Sequence, residues 1–218
     1  RRALSLRDDD EVILTIANFK AQKDPLGLMS AMRRLVEVRP KAILLFAGDG
    51  ELRHEVERAV SDLRLSHNVR LLGWRRDIPE LLAASDLVVL SSVFEGLPRA
   101  AVQAIAARKP FVGTRVDGTP EIIRDGKNGY LVEPRDPEAF ARAMDRALAL
   151  RPIDPDDERR ILEWDVDRMV RAQEELYDEL VKRRVDRDHA IDLRDVEKGV
   201  AVRARHLRIH FREDEIGR

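Results

Sequence analysis

The stretch from Asp86 to Glu121 constrains what this chain can fold into more than any other part of the sequence. Its apolar run Leu87–Leu90 predicts a buried strand, and a turn separates this strand from a predicted helix over residues 97–108. Pro98 stands at the first position of that helix, where its fixed φ suits a helix start. A second predicted strand, Phe111–Gly113, leads into another turn. Two such junctions in succession place two loops at the carboxyl edge of a parallel sheet, where open α/β sheets bind ligands.

The same alternation of short apolar runs and helical patterns extends over residues 1–150. The other predicted strands are Val12–Ala17, Ala42–Ala47, Val69–Leu72 and Tyr130–Val132. Helices are predicted to begin at Asp24-Pro25, to span Glu51–Leu63 and Ile78–Ala84, and to begin at Asp136-Pro137. Six short strands alternating with helices predict an α/β fold: a single Rossmann-like, doubly wound parallel sheet with helices on both faces.

The remainder of the chain has a different pattern. For residues 151–184 the sequence predicts a linker, in which prolines at 152 and 155 interrupt any helix. One long amphipathic C-terminal helix is predicted to follow and to end near Arg184. Residues 185–218 form a charged tail in which two short apolar alternations leave a weak hairpin and disorder both open.

Composition excludes several classes of function. The formal net charge of -1 gives no argument for a nucleic-acid partner, and the absence of Cys excludes disulfides and thiol catalysis. No apolar run approaches the ~18 residues that span a bilayer, and the first residues lack a secretory apolar region. We therefore expect a cytoplasmic protein without a transmembrane segment, for which peripheral contact with a membrane stays open.

Several segments, in a fixed order, carry a resemblance to a known family. They are ILTIANFKAQKDP (13–25), LLFAGDGELR (44–53), NVRLLGWRRDIPELLAASDLVVLSSVFEGLPRAAVQAIA (68–106) and TRVDGTPEIIRDGKNGYLVEPRDPEAF (114–140). Over about residues 1–183 the chain resembles the C-terminal, donor-binding domain of a GT-B-type retaining glycosyltransferase of family four, also called glycosyltransferase group 1. The resemblance implies one half of a GT-B fold, whose sheet edge binds a nucleotide-diphosphate sugar as donor, without a metal or other cofactor.

Glu95, in the turn ahead of the helix over 97–108, has two possible roles. A carboxylate at that position is favoured by the helix dipole, so Glu95 could simply be a capping acid. The resemblance implies instead that Glu95 is the first acid of the family's E-x7-E motif, which holds the hydroxyls of the donor sugar. Charge-assisted hydrogen bonds suit an acid to that role.

The second acid of the motif is replaced by Gln103 in this chain. A Gln at this helix position shares a face with Arg99 and can still donate and accept hydrogen bonds, although without charge. The resemblance implies that this position contacts the ribose, so the substitution predicts weaker nucleotide binding. A solvated helix Gln is the alternative.

Two lysines follow the first strand. The resemblance implies that Lys23 matches a cation that grips the diphosphate, and we assign it a catalytic role together with Glu95. The family's Arg position is occupied by Asn18, so Lys20 is the candidate for a second cation, as a point charge rather than a fork. Ordinary surface lysines are the alternative.

The remaining predicted contacts with the nucleotide sugar come from backbone amides and loop residues. Amides that open a helix form an anion site, and the turn at 118–121 resembles the family's Gly-Gly-x-Pro-Glu loop with Asp117 in place of the first Gly. The full set of predicted binding residues is Lys20, Gly96, Leu97, Pro98, Arg99, Gln103, Trp74, Gly118, Thr119 and Glu121. Glu121 could equally be a helix-start acid, and Trp74 stands where relatives hold the base. No metal site is expected, because His206 and His210 have no evident third ligand.

The resemblance also implies a partner. In GT-B enzymes the acceptor site lies on an N-terminal domain, so we expect such a domain or a separate subunit to complete this chain. Alone, the chain is expected to bind nucleotide weakly and to transfer no sugar. Other functions stay open: a non-catalytic nucleotide-binding or scaffold domain, and a GT-B-fold epimerase or phosphorylase.

Overall fold

The computed structural model describes residues 1–150, 155–161 and 165–185. In this part of the chain one parallel sheet has the strand order β3-β2-β1-β4-β5-β6. Its strands are β1 (Glu11–Ile16), β2 (Ala42–Ala47), β3 (Val69–Gly73), β4 (Leu87–Leu90), β5 (Phe111–Thr114) and β6 (Gly129–Val132). This is the order of a doubly wound Rossmann sheet, in which the strand order reverses between β1 and β4 while all strands stay parallel. The predicted fold class is confirmed.

Helices cover both faces of the sheet. The helices of the part of the chain that forms the sheet are α1 (Pro25–Val38), α2 (Arg53–Asp62), α3 (Ile78–Ala84), α4 (Arg99–Ala106), α5 (Thr119–Ile122), α6 (Pro137–Leu148) and α7 (Pro155–Ile161). A further helix, α8 (Val166–Val185), follows in the chain. Helix α1 packs between α2 and α6, which together form one layer. On the opposite face α4 contacts β4 and β5 and carries α5 and α7 against it.

The central strands are buried on both faces because helices cover both. Every residue of β2 and β4 is buried, and these strands are continuous apolar runs rather than alternating ones. Successive side chains still point to opposite faces. Ile13, Leu44 and Val89 belong to the core cluster that includes α1 and α6.

Two helices begin where Asp-Pro pairs predicted them. Asp24 caps α1 by accepting a hydrogen bond from Gly27 N at 3.1 Å, and Asp136 caps α6 by accepting one from Ala139 N at 2.8 Å. The following prolines occupy the first helical turn, where no backbone donor is lost.

Two predictions about helices are wrong. Pro98 precedes α4 as its N-cap residue, with extended backbone (φ -71°, ψ 105°), rather than opening the helix. The predicted single helix over 155–184 is two helices, α7 and α8, with Asp165 outside both. The predictions for the tail after Val185 lie outside the described residues.

The chain divides into two compact units, residues 1–162 and 163–218. Helix α7 belongs to the first unit, and α8 to the second. Along α8 several large apolar side chains are exposed: Val166, Met169, Val170, Tyr177 and Val181. None of the described helices combines the length and the apolar character needed to cross a membrane.

Candidate functional site

The loops that follow β1 and β4 flank the point where the strand order of the sheet reverses. The chain continues from β1 toward β2 on one side and from β4 toward β5 on the other. In doubly wound sheets ligands bind at the carboxyl edge beside such a point. Lys23 ends a 3₁₀ turn, Ala21–Lys23, in the first loop, and Glu95 lies in the second.

Lys23 and Glu95 form an ion pair between these two loops. Lys23 Nζ donates to Glu95 Oε1, and the two side chains are only 20% and 9% exposed. The sequence predicted both residues for binding but in separate roles, on the diphosphate and on the sugar. The structure brings them into direct contact, 72 residues apart in the chain.

Hydrogen bonds fasten the two loops to each other around this pair. Val93 N donates to Gln22 O at 2.7 Å, and Gln22 Nε2 donates to Phe94 O at 3.0 Å. The Ser91 hydroxyl donates to the carbonyls of Lys23, at 2.8 Å, and Asp24, at 3.1 Å. The position of Lys23 is therefore set by the loop after β4 as well as by its own turn.

The carboxylate of Glu95 has a second partner that the sequence analysis missed. Ser92 is fully buried, and its hydroxyl donates to Glu95 Oε1 at 2.5 Å. Thr114 at the end of β5 donates its own hydroxyl to the Ser92 carbonyl. The available signal was the pair of serines that directly follows the apolar run of β4, since buried hydroxyls need partners.

Asp117 joins the loop after β5 to the Glu95 loop. Its Oδ2 accepts a hydrogen bond from Glu95 N at 2.6 Å, and Gly118 N donates to Gly96 O at 3.0 Å. The loops are so close that a Cβ on Gly118 would lie 2.7 Å from Gly96 O. Asp117 has φ +41°, a backbone conformation that favours glycine. In the sequence Asp117 is a departure from the family's Gly, and nothing local predicts its link to Glu95.

The structure separates two sets of backbone amides that were predicted to bind the donor. Gly118 N and Thr119 N already donate to carbonyls within the described chain, those of Gly96 and Val116. By contrast, in residues 1–150 the amides that open α4 donate to no other backbone group: Gly96, Leu97, Arg99 and Ala100. These unpaired N–H groups and the positive end of the helix dipole favour an anion beside Lys23.

The other predicted residues lie at the same edge with different exposure. Lys20, Arg99 and Gln103 are exposed, and Glu121 is half-buried in the short helix α5. Trp74 follows β3, two strands away from β1, with 73% of its surface exposed. Beside it the Arg75 guanidinium hydrogen-bonds the Asp77 carboxylate, at 2.7 Å for the Nε–Oδ1 pair, and lowers the pKa of Asp77 below its ordinary value.

Among the described residues, no three His, Asp or Glu side chains gather in a way that could hold a metal ion. His206 and His210 lie outside those residues. A polyanion would instead meet the Lys23 cation and the amides of α4.

Comparison with known proteins identifies the family. The family model described as "Glycosyl transferases group 1" matches residues 1–162. The chain belongs to this family. The predicted membership of glycosyltransferase group 1 is thereby confirmed, and the family is one of enzymes.

Curated relatives agree with this assignment. Over 148 residues the chain is 31% identical to the UDP-Gal:alpha-D-GlcNAc-diphosphoundecaprenol alpha-1,3-galactosyltransferase of Escherichia coli, covering 66% of this chain and 38% of the relative. The chain spans about two fifths of the length of the curated relatives it matches.

Two solved structures show the same fold. The Anabaena protein HepE in complex with UDP superposes with a TM-score of 0.70 at 23% identity, covering 84% of this chain and 51% of that one. The C-terminal domain of LpcC, a glycosyl transferase group 1 family protein from Francisella tularensis, superposes with a TM-score of 0.62 at 23% identity. It covers 73% of this chain and 84% of that domain.

Proposed function

We propose that this chain is the donor-binding half of a retaining glycosyltransferase. It binds a nucleotide-diphosphate sugar, whose hexosyl group the complete enzyme transfers to a glycan, a lipid or a small molecule. The observation that carries the proposal is the Lys23–Glu95 pair. It joins the loops after β1 and β4, where the strand order reverses, and lies beside the amides at the start of α4. A cation, a row of N–H donors and a carboxylate are the groups that a sugar diphosphate needs.

Each group has a distinct role in this proposal. The diphosphate lies against Lys23 and the first turn of α4, with Lys20 and Arg99 as further exposed cations. As the bond to the sugar breaks, negative charge grows on the departing diphosphate, and these fixed positive groups stabilise it. Glu95 accepts hydrogen bonds from sugar hydroxyls and orients the anomeric carbon toward the acceptor.

The named relatives support a uridine nucleotide as the first donor to test. The Escherichia coli relative is named for UDP-Gal, and HepE was solved with UDP. Because the chain spans about two fifths of its curated relatives, we place the acceptor site on an N-terminal domain or partner subunit. We propose further that the protein acts in the cytoplasm and needs no metal.

The test is thermal unfolding of the full chain with UDP, GDP and ADP in turn. A ligand at ~100 times its Kd raises the free energy of unfolding by about 2.7 kcal/mol, which is a clear shift of Tm. We expect one nucleotide to give the shift and Lys23→Ala to remove most of it.

The matched control is Lys41→Ala, which removes another ion-paired lysine, partnered by Asp9, from the opposite edge of the sheet. This variant should keep the full nucleotide shift. A shift that survives Lys23→Ala, or that Lys41→Ala removes equally, contradicts the proposed site. Binding of nucleotide without transfer in the presence of the completing domain would favour the non-catalytic alternative.

A further inference from the structure

Two consecutive serines at the carboxyl end of β4 each hold one member of the Lys23–Glu95 pair. The Ser91 hydroxyl donates to the backbone carbonyls of Lys23 and Asp24. The Ser92 hydroxyl donates to the carboxylate of Glu95 at 2.5 Å. Neighbouring residues in an extended chain point to opposite sides, so one short segment can reach both loops.

Burial makes the Ser92 contact more than a surface hydrogen bond. Ser92 is 0% exposed and Ser91 is 6% exposed, so neither hydroxyl can exchange its partner for bulk water without loss. A hydroxyl that donates to a carboxylate makes a charge-assisted bond, which is stronger than a neutral one. Thr114 fixes the Ser92 carbonyl from β5, so the backbone that carries this hydroxyl is itself held.

Within residues 1–150, the Glu95 carboxylate receives its two side-chain contacts on one oxygen. Lys23 Nζ and Ser92 Oγ both donate to Oε1. Two donors at one oxygen fix the plane and direction of the carboxylate, which leaves Oε2 for a further donor. In the absence of Ser92, the flexible Lys23 side chain would be the remaining side-chain contact to this acid.

We propose that Ser92 is a positioning residue, which orients the Glu95 carboxylate so that Oε2 meets a hydroxyl of the donor sugar. Ser91 acts separately, because it holds the Lys23 loop against β4 for the diphosphate. The inference rests on the proposed function for its ligand, and on the geometry alone for the contact between Ser92 and Glu95.

The contact is tested first without any ligand, by a double-mutant cycle in urea unfolding. The variants are Ser92→Ala, Glu95→Ala and the double variant. We expect the effect of the double variant on the unfolding equilibrium constant to differ by about fivefold or more from the product of the two single effects. Independent effects that simply multiply would overturn the inference, whatever the chain binds.

The second measurement separates sugar recognition from diphosphate recognition. Isothermal titration compares UDP with UDP-glucose, or GDP and ADP with their glucose esters if one of those stabilises the chain. In Ser92→Ala we expect the extra affinity that the sugar provides to fall about tenfold, with nucleoside diphosphate affinity changed less than about twofold. Ser92→Thr, which keeps the hydroxyl, should restore most of the sugar-dependent affinity.

Ser91→Ala is the matched control, since it removes a neighbouring buried hydroxyl from the same strand end. It should weaken the diphosphate and its glucose ester by equal factors, because it acts through Lys23. Equal weakening of both ligands in Ser92→Ala would overturn the positioning role. Coupling in the cycle without nucleotide binding by the wild type would support the contact and refute the proposed function instead.

Discussion

The two edges of the sheet use charged side chains differently. At the amino edge, ion pairs join elements that lie far apart in the chain: Arg39 contacts Glu11 at 2.5 Å and Asp145 at 2.6 Å, which connects α1, β1 and α6. At the carboxyl edge, the Lys23–Glu95 pair lies between loops and beside backbone amides that have no backbone acceptor in residues 1–150. The Arg39 pairs join the layers, whereas the Lys23–Glu95 pair is the one that we propose a ligand contacts.

The chemistry of the cations fits this difference. Arg39 presents a fork, which is hydrogen-bonded to Asp145 through Nε and to Glu11 through Nη1, and these contacts raise its pKa further above the ordinary range. Lys23 offers a single ammonium with three rotatable donors, which can turn from Glu95 to a phosphate oxygen. Mutations of Arg39 and of Lys23 should therefore affect different measurements.

The largest expected effect is on stability, from Asp157→Ala. Asp157 in α7 is 3% exposed, where it pairs with Arg124 and accepts a hydrogen bond from Asn128 at 3.1 Å at the amino end of β6. Its loss removes the buried anion that holds α7 and should lower the free energy of unfolding by about 3 kcal/mol. Urea unfolding measures the change.

The control for this prediction lies one residue away. Asp156→Ala removes an exposed acid that pairs with Arg159 on the same helix, and it should change the free energy of unfolding by less than about 0.5 kcal/mol. If both variants lose the same stability, helix propensity rather than the buried network holds α7.

The second-largest expected effect, also on stability, comes from Arg39→Ala and tests the difference between the two edges directly. Arg39→Ala should lower the free energy of unfolding by about 1.5 kcal/mol, less than a buried pair would, because its partners are 31% and 45% exposed. Nucleotide affinity should stay within about twofold of wild type in titration. The control Arg33→Ala, which breaks an exposed pair with Glu37 on the same helix, should change stability by less than about 0.5 kcal/mol. Loss of nucleotide affinity in Arg39→Ala would contradict the division between the edges.

The smallest expected effect is on how the free energy of unfolding depends on pH. Because Arg75 lowers the pKa of Asp77, the ionised carboxylate stabilises the fold above its ordinary pKa, and that contribution is lost as the pH falls through the lowered value. Asp77→Asn lacks this contribution at every pH. The gap in urea-unfolding free energy between wild type and variant should therefore be constant above about pH 5 and close below about pH 4. A gap that widens on acidification would contradict the assigned pair.

Local pattern predicted the elements well, for identifiable reasons. The strand Ala42–Ala47 and the helix Ile78–Ala84 have the predicted bounds, because a continuous apolar run and an Asp before an Ile-Pro start are local signals. Pro98 was misplaced by one position, since a proline with extended ψ can precede a helix as easily as open it. The break between α7 and α8 carries no glycine or proline to mark it.

The contacts within the site could be predicted from the sequence less well than the helices and strands could. Glu95 and Lys23 were predicted from the sequence through a resemblance to the family that the comparison shows. The contacts of Ser91 and Ser92 were not predicted. It could not show that Asp117 holds Glu95 N, because that contact joins loops after two different strands.

By itself, the sequence determined the α/β class, the starts of α1, α3 and α6, and the family, because these depend on residues that are neighbours in the chain. Only the tertiary structure decided that Lys23 pairs with Glu95, that Ser92 holds the same carboxylate and that Arg39 joins Glu11 to Asp145. The physical reason is strand order: β1 lies beside β4 in the sheet, so loops 72 residues apart meet at one edge. Periodicity along a chain carries no record of which strand becomes its neighbour.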